Sequence, residues 1–282
     1  MDIRFTNIKT LLESLKKDRD IDIQNLNWIE PIGIALLKLH KVTNPNININ
    51  LTGKKSCINY LKTLLSSQQN QNNTYTPLVQ FKNGENIDLI TEDISKKILI
   101  SIKTMDITDK EDLKKYLNYL ISEIMDNVIS HSQSNIGGFI SAQYYPKLNK
   151  VQVVIIDNGI GLLQGLSAQH NIKNEQIAIQ KAMEKEVTGS NKFSAYNNIQ
   201  KHAGLGLFFL SKIIEHTKGK LIIVSNNSLY NSTVNEYTNL DTSFQGTLVA
   251  FELYEKQLEY EFHMLHNIIR DEDNEDEDED VF

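Results

Sequence analysis

The stretch ISEIMDNVISH, residues 121–131, decides how this chain is read. Ile121, Ile124 and Val128 extend an apolar face begun by Leu113, Leu117 and Leu120, at the three- and four-residue spacing of a helix. Glu123, Asn127 and His131 stand four residues apart beside that face. Positions i, i+4 and i+8 drift by only about 40° per step, so the three form a polar stripe along the border of a buried surface. Alone, such a stripe fits a helix side that simply stays wet. Its meaning depends on what the chain places around it.

Three short segments downstream change the balance. VVIIDNGIG (153–161) is a buried strand that delivers Asp157 at its end, followed by Gly159 and Gly161. A carboxylate there can accept from an exocyclic amine, and the glycines let backbone come close to a flat ring. An ordinary Asp-Asn-Gly turn would look the same. GLGL (204–207) opens a helix, and Gly204, Leu205 and Gly206 at its N-terminus suit a phosphate. It lacks the leading strand and third glycine of a dinucleotide fingerprint. QGT (245–247) starts a strand on which Thr247 adds a hydroxyl.

Around these segments the chain alternates in character. Residues 7–17, 31–41 and 54–65 have helical spacing, while 21–26 and 47–52 alternate as strands, which implies a small α/β layer. The polar stretch 66–74 reads as a linker, or as a surface loop within one domain. Thr108 to Glu111 fits a capping box that opens the long helix. Strands are expected at 137–145, 150–157, 219–226, 232–237 and 245–253, with helices near 174–186 and at 204–219. Together they suggest a mixed sheet covered by helices on one face. Leu258, Phe262, Leu265 and Ile269 mark an amphipathic helix over 255–270, and the acidic run at 271–282 is expected to be disordered.

The net charge of −7 comes from that tail. Of 36 acidic residues, nine lie within 271–280, leaving 27 against 29 basic ones. The body therefore carries no basic footprint for nucleic acid. One cysteine, Cys57, excludes an intrachain disulfide framework. No apolar run approaches the roughly 20 residues that cross a bilayer, so a cytoplasmic protein without membrane contact is expected.

The four segments in this order resemble the GHKL superfamily of ATP-binding folds. Its members include type II topoisomerases, heat-shock chaperone ATPases, mismatch-repair ATPases, sensor histidine kinases and anti-sigma-factor serine kinases. The likeness spans roughly residues 108–253 and implies an α/β domain of Bergerat type over 76–254. ISEIMDNVISH looks like its N box, DNGIG and GLGL its glycine boxes, and GT its closing motif. The resemblance implies ATP and Mg²⁺ as cofactors, with Asn127 as the magnesium ligand and Asp157 reading the adenine amine. It implies nucleotide contacts at Gly159, Gly161, Gly204, Leu205, Gly206 and Thr247. It makes Glu123 the group that polarises the attacking nucleophile, and residues 164–203 the ATP lid. His131 is assigned to packing or the phosphate side, and Lys201 could neutralise a phosphate.

Residues 1–75 resemble a STAS domain, the fold of anti-sigma-factor antagonists. Glu30-Pro31-Ile32-Gly33 stands where that family carries a phosphorylatable serine, and no serine is present. The only histidine before the N box is His40, in a short helix, which speaks against an autophosphorylating histidine kinase. The expected function is a regulatory Mg·ATP-dependent ATPase or serine/threonine kinase of the anti-sigma-factor type. It would act on a protein partner, and a homodimer is compatible with the pattern. The alternative is a nucleotide-gated interaction switch with little turnover. A degenerate fold without nucleotide is the third option.

Overall fold

The computed structural model describes residues 1–17, 19–65, 74–82, 87–101, 106–168, 170–184 and 206–254. The N-terminal block contains β1 (Asp2–Ile3), α1 (Ile8–Ser14), β2 (Ile21–Leu26), β3 (Trp28–Ile29), α2 (Pro31–Thr43), β4 (Ile49–Gly53) and α3 (Lys55–Leu65). Next come β5 (Tyr75–Phe81), α4 (Ile87–Ser101), α5 (Ile107–His131), β6 (Gly138–Tyr145) and β7 (Lys150–Asp157). The chain continues through α6 (Gly161–Ser167), α7 (Glu175–Ala182), α8 (Gly206–His216), β8 (Lys220–Ser225), β9 (Ser228–Asn231), β10 (Glu236–Asn239) and β11 (Thr247–Tyr254). The class is α/β.

A seven-stranded sheet in the order β10-β9-β8-β11-β7-β6-β5 forms the centre. Every pairing in it is antiparallel, so the expectation of a mixed sheet is corrected. The parallel pairs, β1 with β3 and β2 with β4, lie in the N-terminal block. The run Val153–Ile156 is continuously apolar because both faces of β7 are covered. Val153 and Ile155 share a core with α5 and α8, whereas Val154 and Ile156 pack with α1 and α2. The expectation of helices on one face is corrected for the same reason. The N-terminal block covers the other.

A polar cluster is sealed at that second interface. Glu30, at 2% exposure, accepts from Phe5 N at 2.7 Å and from Gln152 Nε2 at 3.1 Å. Gln152 also donates to Glu252 Oε1 at 3.0 Å, and Lys150 pairs with both carboxylates. Buried polar groups persist where each finds partners, and these do.

Local chemistry explains where the sequence-based boundaries moved. The cap of α5 is Asp106, whose side chain accepts from Asp109 N at 2.9 Å, rather than the expected box at Thr108. Of the strand expected at 232–237, residues 232–235 form the turn between β9 and β10, with Asn235 at φ 50°, and Glu236 and Tyr237 belong to β10. Residues 66–73 of the expected linker 66–74, Lys201, and residues 255–282 lie outside the described residues. No helix among the described residues is long and apolar enough to cross a membrane.

Candidate functional site

Period-two alternation puts Asp157 on the face of β7 that carries Val153 and Ile155, facing α5. Thr247 starts β11, one residue before the Leu248–Ile156 pair, on the same face as Val249. Helix α5 crosses above and turns Asn127 and His131 of its polar stripe toward this end of the sheet. Asn127, His131, Asp157 and Thr247 thereby line one cavity of about 90 Å³. One water needs roughly 10–15 Å³, so several water-sized units fit. Ile124, Val128, Ile155, Leu166, Leu207 and Val249 form apolar walls around them. Apolar walls with few convergent polar groups are the usual make-up of a small-molecule site, although at about 90 Å³ this cavity is smaller than the roughly 300–1,000 Å³ of such sites.

Asp157 is 1% exposed. Burial pushes its pKa up to about 7, opposed by the backbone N–H groups of Gly159 and Thr247. The Gly159 contact is 2.6 Å. A carboxyl so placed takes a donor from a ligand to stabilise its charged form. His131 is half-buried at the rim, and burial lowers its pKa.

The loop after Asp157 is stitched to the end of α5. Ile160 N donates to Ser132 O at 2.8 Å. A Cβ on Gly159 would lie 2.1 Å from that same carbonyl, and Gly161, at φ +78°, would meet Asn226 Nδ2 at 2.3 Å. Both glycines are therefore required by packing within the protein, where the sequence suggested close approach of a ring. Gly161 also lines the cavity. Gly165, which the sequence did not single out, lines it too, and a Cβ there would meet nothing within 4 Å.

Glu123 sits one turn before Asn127, half-buried and outside the cavity lining. A Cβ on Gly206 would come within 2.9 Å of the Glu123 Cβ, so this glycine seats α8 against α5. Gly204 and Leu205 lie outside the described residues. Among the described residues no group of three His, Cys, Asp or Glu could hold a metal. A magnesium ion at Asn127 would need ligand oxygens to complete its shell, as this hard cation commonly does.

No protein-family model matches the chain, and no curated protein matches its sequence.

Sequence reasoning missed a clamp around the cavity. Glu175 accepts from Ser225 Oγ at 2.5 Å, from Asn226 Nδ2 at 2.6 Å and from Leu163 N at 3.2 Å. Asn226 also donates to Ile160 O and accepts from Gly246 N. No local signal links Glu175 to residues some fifty positions away. Through it α7 is fixed, with Ala178 and Ile179 fully buried. Residues 170–184 of the expected lid thus belong to the packed body, and 185–203 lie outside the described residues.

Proposed function

We propose that the chain is a Mg·ATP-binding regulatory protein of GHKL type, with an ATPase or serine/threonine kinase activity directed at a protein partner. The observation that carries this reading is the cavity itself. Four polar groups from α5, β7 and β11 converge there between apolar walls, one of them a buried carboxyl at a strand end. A flat base would slot between the walls and donate its amine to Asp157. Asn127 would hold a magnesium ion, which would supply positive charge against the phosphates. Glu123, one turn away on the same stripe, would act as general base. Positioning and charge neutralisation supply most of phosphoryl-transfer catalysis, so whatever hydroxyl docks there decides between water and a protein side chain.

The test uses Mg²⁺ and γ-labelled ATP with wild type and Glu123→Ala, following free phosphate, labelled protein and bound nucleotide together. Phosphate release or partner labelling that falls at least roughly 100-fold in the variant, with binding retained, is the expected result. Absence of nucleotide binding by the wild type would overturn the reading.

A second reading, an ATP-gated interaction switch with little turnover, is favoured by the N-terminal block, which packs on the back of the same sheet. In either reading the STAS-like segment is no phosphoacceptor. Glu30 and Ile32 are buried there, and Ile32 N faces Gln152 Oε1 at 3.4 Å. Partner contacts, including those of a homodimer, would use other surfaces.

A further inference from the structure

A second cleft, of about 480 Å³, lies between the N-terminal block and the loops that frame the first cavity. Leu36, Leu39, His40, Thr43 and Asn44 of the α2 region line one wall, with Leu15 and Lys17 from the end of α1. Gln133, Asn135, Asn158 and Gln245 line the other, with Phe244 beside them. The volume falls within the roughly 300–1,000 Å³ of small-molecule sites.

The walls are preformed. The loop before β11 is hooked onto α1 by Thr242 Oγ1 to Leu12 O at 2.6 Å, Ser243 N to Leu15 O at 3.2 Å and Lys16 Nζ to Asp241 Oδ1 at 2.9 Å. The loop after α5 is held to Asn158 by Ser134 Oγ at 2.5 Å.

The chemistry of the lining is one-sided. Among the described residues it holds a lysine, a histidine, amides and hydroxyls, and no carboxylate. Amides offer donors and acceptors together, which matches a body rich in hydroxyls. Leu36, Leu39 and Phe244 offer an apolar bed for its C–H face. His40 is only 6% exposed, and its ring lies close to the Lys16 backbone, which opposes the lowering of its pKa by burial. Its Nδ1 lies 3.5 Å from Asn44 Nδ2. Acceptors at the C-terminal end of α2 suit hydroxyls better than an anion, so the anionic group belongs with Lys17.

We propose that this cleft is a binding site for a small phosphorylated, hydroxyl-rich molecule of sugar-phosphate type. The site stands on these residues and does not require the first cavity to take a nucleotide.

The test is thermal unfolding of the full chain with ribose 5-phosphate, beside ribose and inorganic phosphate separately. Lys17 and Thr43 are exposed, so Lys17→Glu and Thr43→Trp are expected to fold. A saturable rise in Tm of about 2 °C or more with ribose 5-phosphate, exceeding that of either fragment, is expected of a ligand well above its Kd. It should persist in Gly165→Leu, which fills the first cavity, and be lost in Lys17→Glu and Thr43→Trp. No rise, a rise matched by inorganic phosphate alone, or one unchanged in both cleft variants would overturn the proposal.

Discussion

Burial of the Asp157 carboxyl, against the two backbone N–H groups that reach it, leaves its pKa near 7, compared with about 3.9 in an unfolded chain. The folded state therefore binds this proton more tightly than the unfolded one. The stability tied to Asp157 is fully present below about pH 4 and is lost as pH rises toward 7, by an amount on the order of 4 kcal/mol. Asp157→Asn should unfold at a higher temperature than wild type at pH 8 and at nearly the same temperature at pH 4. Calorimetry at the two values checks this. The same substitution should abolish ATP binding, because the amide cannot take the charge that a base amine would stabilise. Gly165→Leu separates the two roles differently. Its side chain enters open space, so the fold should hold while the cavity closes, and nucleotide binding should fall at least about 100-fold. Gly159→Ala has no such freedom, since its Cβ would press on the Ser132 backbone, and loss of Tm is expected.

At the scale of elements, the helix α5 depends on its first turn and on close contact with α8. Asp106→Ala should cost about 1 kcal/mol in denaturant unfolding through loss of the cap. At Gly206 two effects compete. Alanine gains up to about 1 kcal/mol of helix propensity, less at this first helical position, while its Cβ crowds Glu123 at an overpacking cost of about 1–3 kcal/mol. The crowding should win, and Gly206→Ala should be destabilised. These elements also show what was legible. The strand at 150–157 is found as expected because a run apolar on both faces leaves little choice, and the stripe on α5 lies where its spacing puts it. The turn inside 232–237 was hidden because Val234 and Tyr237 suit a strand, while the decisive fact is the left-handed backbone of Asn235. Strand β5 carries Pro77 and helix α4 mixes charge into its apolar face, so neither announced itself. The Glu175 clamp is a contact between distant segments, which local pattern does not encode.

At the scale of the molecule, the central sheet is a shared floor. The N-terminal block seals one face and the helices α4, α5 and α8 the other. Sequence alternation predicted both layers but not their stacking, because Lys150, Gln152 and Glu252 are of residue types usually found in contact with water and here meet Glu30 in the interior. Glu30→Ala would leave Phe5 N and Gln152 short of an acceptor and should cost about 3–5 kcal/mol. Unfolding of the wild type in denaturant should be one transition by fluorescence of Trp28 and by circular dichroism alike, since the only tryptophan reports on the N-terminal block. The central claim concerns the cavity on the helical side of this floor. Titration calorimetry of ATP with Mg²⁺ into wild type, Asp157→Asn and Gly165→Leu tests it most directly. Saturable binding by the wild type alone, with both variants folded, is the expected result. No binding by the wild type, or binding that both variants retain, would contradict it.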